Sequence, residues 1–357
     1  MSSTGSRKVR RRATHPRGTV VVTTIESRAL RNNPLGDPAV RHIPVYLPPG
    51  YEDDDAARYP VLYALTGFTG SGRMLLNVSA WAEPLNERLD RLQADRAMGA
   101  MIVVMPDCFT RWGGSQYINS SATGRYEDHL LREVVPHIDS EFRTLAEARH
   151  RGVFGKSSGG YGALIHGMRH PELFAGVACH SGDMGFELCY GPDLPKLLRQ
   201  VEKHGGVERF VRAFEAAPRK SHALVEAMNI LAMAACYSPK RGKRPFGIEF
   251  PIDLRTGEIN ARVWRTWLRH DPLRRVARYA ANLRRLRLLY VDCGTRDEFN
   301  LHLGARQLVE KLRRLRIRHV HEEFDDGHMS VSYRYDHSLP RLWSALRPRA
   351  GKRRQAG

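Results

Sequence analysis

The sequence predicts an α/β domain whose central sheet is mostly parallel. Short apolar, β-branched runs alternate with segments of helical spacing, and the runs end in turns rich in Gly, Pro or Asp. Continuous apolar runs of this length are typical of strands buried on both faces. Alternation of strand and helix favours parallel neighbours joined by right-handed crossovers, with ligands bound at the carboxyl ends of the strands.

About eight strands are predicted, the first two of them as an antiparallel lead-in. They are 18–25, 40–47, 61–65, 100–105, 150–156, 174–180, 286–292 and 318–324. Predicted helices, from their apolar spacing and capping residues, are 81–92, 126–142, 158–169, 194–204, 207–217, 221–236, 263–269, one from 272, and 300–315. The excursion between the sixth and seventh strands, about 186–272, reads as a mainly helical cap insertion. It includes a predicted strand pair around 250–259.

The net charge of +19 is concentrated in two tails. Residues 1–17 carry six of the positive charges without an acid, and residues 347–357 carry five. Both tails are predicted to be disordered, which leaves a domain of 18–346. Because the remaining arginines are spread over amphipathic helices, they indicate solvated faces and no specific nucleic-acid partner.

Composition and apolar patterning also give expectations for the cellular compartment and for the state of the cysteines. No apolar run is long enough to span a bilayer, and no leader is readable in 1–17, so a cytoplasmic protein is expected. Five cysteines without framework spacing indicate reduced thiols. A homo-oligomer remains open.

The strongest motif is the apolar run 153–162, which contains Gly155, Ser157 and Gly159 in the pattern G-x-S-x-G. This pattern predicts a nucleophile elbow, a strained strand-to-helix turn whose flanking glycines avoid a clash. Ser157 is then the nucleophile, and the helix that follows supplies free N–H groups. The alternative of a phosphate-binding P-loop fails, because His150 stands where its first glycine is required.

A base and an acid follow in chain order. Asp297 lies after the seventh strand and His328 after the eighth, and the 31 residues between them fit one helix and one strand. Since neighbouring strands end side by side, both loops can reach the elbow; Ser–Asp–His is the order typical of α/β-hydrolases. Three other acids compete with Asp297: Asp292, Asp325 and Asp326. Asp292 is expected to lie still within the strand, and Asp325 and Asp326 are too close in sequence to His328 for the usual geometry. Asp297 is therefore favoured.

Acyl transfer requires two N–H donors for the oxyanion. Ser158, directly after the nucleophile, supplies one, and Phe68 in the loop after the third strand is the expected second donor, with Gly67 and Thr69 as neighbours that can replace it. The polar, aromatic loop 109–124 is long for a structureless connection, which favours function. The pocket residues predicted from these two loops are Gly67, Thr69, Gln116, Tyr117 and Asn119.

Four segments carry a family resemblance over about 20–345: 59–67, 155–160, 292–298 and 327–328. On these the chain resembles the putative-esterase family of α/β-hydrolases, which includes esterase D (S-formylglutathione hydrolase), enterochelin esterases, feruloyl esterases and mycolyltransferases. The resemblance implies an α/β-hydrolase fold, a triad of Ser157, Asp297 and His328, and no metal or organic cofactor. Two residues depart from the family pattern. Thr66 stands where the family commonly has histidine, and Lys156 replaces the usual His or Met-like residue before the serine.

The expected function is hydrolysis of a small-molecule carboxylic ester or thioester through an acyl-enzyme. Two alternatives stay open at this point. An acyltransferase would use the same triad with an acceptor other than water, and a non-catalytic binding protein would keep only the scaffold.

Overall fold

The computed structural model describes residues 16–348, so nearly all of both predicted disordered tails lies outside the described residues. Eight strands form one sheet in the order β1-β2-β4-β3-β5-β6-β7-β8. They are β1 (Thr19–Glu26), β2 (Val40–Leu47), β3 (Val61–Leu65), β4 (Ile102–Val104), β5 (Arg151–Lys156), β6 (Gly176–His180), β7 (Leu288–Gly294) and β8 (Val320–Phe324). β2 pairs antiparallel with β1 and β4, and the other pairs are parallel. The predicted strands and their mostly parallel arrangement are confirmed.

Helices cover both faces of the sheet and fill the insertion. They are α1 (Leu85–Ala94), α2 (126–141), α3 (Ser158–Arg169), α4 (Phe186–Cys189), α5 (Leu194–His204), α6 (Val207–Ala216), α7 (His222–Tyr237), α8 (Ala261–Leu268), α9 (Pro272–Arg275), α10 (Ala280–Arg284), α11 (Leu301–Arg314) and α12 (Tyr335–Leu346). α2 consists of Tyr126–Asp128, a π-helical stretch His129–Val134, and Val135–Glu141. Short 3₁₀ turns lie at Tyr51–Asp53, Gly72–Leu76, Ala148–His150, Gly191–Asp193 and Ser332–Arg334.

Two of the predicted elements differ from the structure. α1 begins at Leu85 and not at Trp81, because Pro84 disfavours helical backbone in the residue before it. The predicted strand pair around 250–259 is reduced to a single bridge between Ile252 and Ile259. The boundary of the cap at about 186–272 stays a prediction, although α4–α9 do lie between β6 and β7.

The sheet separates two apolar cores, because successive strand residues point to opposite faces. On β5, Val153 packs into the larger core and Phe154 into the smaller one. Parallel pairing brings the carboxyl ends of β3, β5, β6, β7 and β8 to one edge. The loops that carry the predicted site residues therefore meet there.

Candidate active site

Ser157 occupies a strained turn between β5 and α3. Its backbone has φ 59° and ψ −127°, a conformation that costs a non-glycine residue about 1–3 kcal/mol. A Cβ on Gly159 would lie 2.1 Å from the carbonyl oxygen of Leu65, and one on Gly155 would lie 2.5 Å from the same oxygen. Both glycines are required by this close approach, and Ser157 itself is only half-buried.

Asp297 and His328 form a buried pair at the ends of β7 and β8. His328 Nδ1 donates to Asp297 Oδ2 over 2.8 Å, and Asp297 Oδ1 accepts the backbone N–H of Phe299 at 2.9 Å. Burial by itself raises the pKa of Asp297, but the hydrogen bond from His328 and the backbone donors bring it below its ordinary value. With Nδ1 protonated toward the carboxylate, Nε2 is the basic nitrogen of His328.

The three competing carboxylates make other contacts. Asp292 binds His180 and Arg334, at 2.7 Å and 3.0 Å. Asp325 pairs with Arg296 at 3.1 Å, and Asp326 accepts the backbone N–H of Gly327 at 2.8 Å. Of the four acids weighed in the sequence, Asp297 is the one hydrogen-bonded to His328.

The loop after β3 lies against Ser157. A Cβ on Gly67 would lie 3.4 Å from the Cβ of Ser157, so this backbone passes directly beside the elbow. The N–H of Gly70 donates to the carbonyl of Gly67 at 3.0 Å and closes a turn that contains Phe68 and the exposed Thr69. This turn and the first turn of α3, which starts at Ser158, therefore both adjoin Ser157.

Tyr117 contacts both the loop after β3 and the helix α3 that follows Ser157. Its hydroxyl donates to the carbonyl of Thr66 at 2.8 Å, and a Cβ on Gly162 of α3 would meet its ring at 2.5 Å. Gln116 and Tyr117 both have positive φ, 53° and 56°, which strains two consecutive non-glycine residues. Tyr117 is buried, and its hydrogen bond to Thr66 holds the loop after β3 in place.

Asp183, which sequence reasoning missed, lies beside the elbow in the loop after β6. Its Oδ2 accepts from Gln116 Nε2 (2.9 Å), the Tyr190 hydroxyl (2.8 Å) and Ser158 Oγ (3.2 Å). Burial raises the pKa of the Asp183 carboxyl, although the hydrogen bonds from Gln116 and Tyr190 act in the opposite direction. A carboxylate directly after a strand that neighbours the elbow was a usable signal for this residue.

Asn119 has a different environment from the other predicted pocket residues. It is exposed, and its amide binds Asp128 at the start of α2 twice: Nδ2 donates at 2.9 Å, and Oδ1 accepts the Asp128 backbone N–H at 3.1 Å. These bonds tie the loop 109–125 to α2. Whether Asn119 also contacts substrate stays a prediction.

Two charged residues next to the pair were not assigned from sequence. Glu298 Oε2 accepts the backbone N–H of His328 at 2.6 Å and so fixes the loop that carries His328. Lys156 is half-buried, and burial lowers the pKa of its ammonium group while Asp297 and Glu298 raise it. Lys156 therefore lies within electrostatic reach of the acid.

Comparisons with known proteins agree with this geometry. The family model described as "Putative esterase" matches residues 38–346. The endo-1,4-beta-xylanase/feruloyl esterase of Xylanibacter ruminicola is 30% identical over 51% of this chain and 26% of its own length. The S-formylglutathione hydrolase of Mus musculus is 25% identical over 43% of this chain and 58% of its own length. The chain thus spans well under two thirds of these curated relatives.

Solved structures match along nearly the whole chain. A ferulic acid esterase superposes with a TM-score of 0.58 at 21% identity, over 92% of this chain and 99% of that one. The S-formylglutathione hydrolase of Agrobacterium tumefaciens gives 0.56 at 17%, over 94% and 98%. The sheet order, the strained serine and these likenesses define an α/β-hydrolase fold. Since the family model covers 38–346, the chain belongs to the esterase family of that fold. No helix in 16–348 is both long and apolar enough to cross a membrane.

Proposed function

We propose that the protein is a serine hydrolase that cleaves a carboxylic ester or thioester through an acyl-enzyme. Ser157 is the nucleophile, His328 the general base and then acid, and Asp297 the group that orients His328. The observation that carries the proposal is the strained Ser157 at the edge of the sheet where the 2.8 Å Asp297–His328 pair also lies. Membership of the esterase family supports the same reaction class.

The first half-reaction acylates the enzyme. His328 Nε2 accepts the Ser157 hydroxyl proton as Oγ attacks the carbonyl carbon, and Asp297 stabilises the imidazolium that forms. The N–H groups of Phe68 and Ser158 bind the oxyanion, whose charge the N-terminal end of α3 also favours. When the tetrahedral intermediate collapses, the alcohol or thiol leaves with the proton from His328.

The second half-reaction releases the acid. His328 now deprotonates a water molecule, which attacks the carbonyl carbon of the acyl-enzyme, and the same donors bind the second oxyanion. Collapse breaks the bond to Ser157 Oγ, which takes the proton back from His328. In both half-reactions His328 takes up and releases the one proton that is transferred, so the proposed scheme uses no metal ion.

The substrate pocket is proposed at the carboxyl edge of the sheet. Gly67, Thr69, Gln116, Tyr117 and Asn119 remain its predicted residues, with Asp183 as a buried acceptor next to Ser158. Two relatives carry names for different substrates: a feruloyl esterase, named for its acyl group, and an S-formylglutathione hydrolase, named for a formyl thioester. The scheme proposed for Ser157 accommodates an ester or a thioester, so the acyl group and the leaving group are to be decided by assay.

Labelling with a fluorophosphonate probe tests the nucleophile directly. Purified protein should be labelled at Ser157 and should hydrolyse p-nitrophenyl acetate, a feruloyl ester or S-formylglutathione. Ser338→Ala is the matched control, because Ser338 is a buried serine that also contacts a histidine. An unlabelled wild type, or a Ser157→Ala variant with full turnover, would refute the proposal. Product analysis with added alcohols separates hydrolysis from acyl transfer.

A further inference from the structure

Three side chains with metal-binding atoms meet at the C-terminal end of α3. They are Glu127, His166 and His170, and one ligand atom from each lies within 4.8 Å of the others. His166 and His170 are four residues apart, so they lie on one side of the helix, with ring centroids 5.9 Å apart. Glu127 comes from the first turn of α2. The cluster is roughly 18 Å along α3 from Ser157, at the rise of an α-helix.

His166 is the unusual member of this cluster. It is completely buried. Neither ring nitrogen makes a well-formed hydrogen bond among the described residues, although the backbone of Tyr117 lies close enough to act on the pKa of the ring. Buried polar groups in proteins are nearly always paired, and each exception calls for an explanation. A bound cation would pair with a buried imidazole whose ligand atom lies within 4.8 Å of those of a second histidine and a carboxylate.

His170 and Glu127 each have a partner outside the cluster that orients them. His170 Nε2 faces Glu127 Oε1 at 2.9 Å, whereas its other ring nitrogen, Nδ1, lies 2.9 Å from Glu172 Oε1. A metal-bound histidine typically donates its other ring N–H to a carboxylate in this way. Arg169 holds the second oxygen of Glu127 at 2.8 Å and orients the carboxylate.

The spacing suits a small tetrahedral ion. Bonds of about 2.0–2.1 Å at tetrahedral angles place two ligand atoms about 3.3 Å apart. The 2.9 Å contact between His170 and Glu127 therefore needs to open by about 0.4 Å, and the ligand atom of His166, which lies within 4.8 Å of the other two, needs to approach by at most about 1.5 Å. The side chains of His170 and Glu127 are 25% and 16% exposed, which gives an ion a path from solvent and leaves room for water as a further ligand.

We propose that Glu127, His166 and His170 bind a divalent transition-metal ion of the Zn²⁺ class. Two imidazoles and one carboxylate suit zinc and its neighbours, whereas Ca²⁺ and Mg²⁺ prefer all-oxygen sites. The site is separate from the acyl-transfer residues, so the ion has a structural role and takes no part in the proposed reaction.

The position of the site indicates what the ion stabilises. Glu127 follows the loop 109–125 directly, and His166 lies one turn after Gly162, where Tyr117 of that loop packs on α3. An ion bound to both elements would fix the exit of the loop to the helix that begins after Ser157. Occupancy should therefore raise resistance to unfolding, while turnover at low temperature changes little.

Metal binding by the full-length chain, purified without a polyhistidine tag and stripped with a chelator, tests the proposal. Equilibrium dialysis against ZnCl₂ followed by elemental analysis should find one zinc per chain beyond any uptake by the control variants. CoCl₂ should produce the visible absorption of a four-coordinate ion. At a zinc concentration of about 100 times Kd, the thermal unfolding midpoint should rise by about 4 °C.

The variant for the test is Glu127→Gln with His170→Gln, because both side chains are partly exposed and the fold should tolerate amides there. It should bind zinc about 100-fold more weakly or worse, lose the cobalt spectrum and lose the thermal shift. His222→Gln is the matched control, since His222 pairs with Glu226 at 3.2 Å on the surface of α7. The proposal is overturned if the wild type takes up no zinc, or if the double variant binds it as the wild type does.

Discussion

Two groups of serine, histidine and aspartate can be compared within residues 16–348. The first is the proposed catalytic group of Ser157, His328 and Asp297; the second comprises Ser338, His180 and Asp292. In the second group His180 Nδ1 donates to Asp292 at 2.7 Å, and the Ser338 hydroxyl donates to His180 Nε2 at 2.8 Å. Its histidine–aspartate contact matches that of the first group, which is 2.8 Å, and it has in addition a hydrogen bond between serine and histidine.

The two groups differ in access and backbone. Ser338, His180 and Asp292 are at most 1% exposed, and Ser338 lies inside α12. Ser157 is half-buried at a strained turn beside the N-terminus of a helix. The comparison teaches that three residue types at hydrogen-bond distance do not make an active site. Catalysis also requires a nucleophile that substrate can reach and donors for the oxyanion.

Ser157→Ala should abolish turnover, with the largest effect of any single change. We expect kcat for p-nitrophenyl acetate to fall by roughly 10⁶-fold, because the nucleophile is lost. Ser338→Ala should leave kcat within a factor of about two in folded protein, because that hydroxyl only satisfies the buried His180. Steady-state kinetics on both variants checks this. Equal losses of kcat in the two would contradict the assignment.

Exchange of the aspartates separates chemistry from stability. Asp297→Asn should lower kcat by roughly 10⁴-fold, because the amide no longer fixes the reactive tautomer of His328. Asp292→Asn should lower the free energy of unfolding by about 3 kcal/mol, since it leaves buried Arg334 and His180 without their carboxylate. Kinetics and urea denaturation of each variant measure the two effects. An Asp297→Asn enzyme with normal kcat would place the acid elsewhere.

Asp183→Asn is expected to have an intermediate effect on catalysis. The carboxylate attracts the protonated His328, so its loss should lower kcat/KM by about tenfold. Asp193→Asn is the control, because Asp193 is a buried aspartate that pairs with Lys196 at 2.8 Å in the cap. If Asp183→Asn and the control behave alike, Asp183 has no role at the elbow.

The smallest expected effect is on acid stability. The pKa values of both Asp292 and Asp297 lie below the ordinary value of 3.8, although burial by itself raises them. For Asp292 the charge of His180 and the hydrogen bonds from His180 and Arg334 outweigh burial. For Asp297 the hydrogen bond from His328 outweighs it. Each carboxylate thus stabilises the fold above pH about 4, and this stability is lost as the pH falls through the lower folded pKa. Urea midpoints at pH 7 and pH 3 should therefore differ less in either Asn variant than in the wild type. An unchanged difference in both would rule out this source of acid sensitivity.

Local patterns predicted much of the fold. α5 runs from Leu194 to His204 as expected, because Pro195 suits a helix start and Gly205 in left-handed conformation ends it. α12 was not among the predicted helices, and it contains Pro340. Its place is set by contacts with the smaller core through residues such as Leu339 and Leu342. Such long-range packing leaves little trace in a short window of sequence.

By itself the sequence determined the alternation of strands and helices, the glycines around Ser157, and the chain order of serine, aspartate and histidine. These are local features, because periodicity and turn chemistry act within a few residues. Tertiary structure decided which carboxylate contacts His328, that Asp183 lies against Ser158, and that His180 belongs to a buried network. Those facts depend on which strand ends lie side by side, and only the folded sheet brings together residues that are 25, 31 and 158 positions apart.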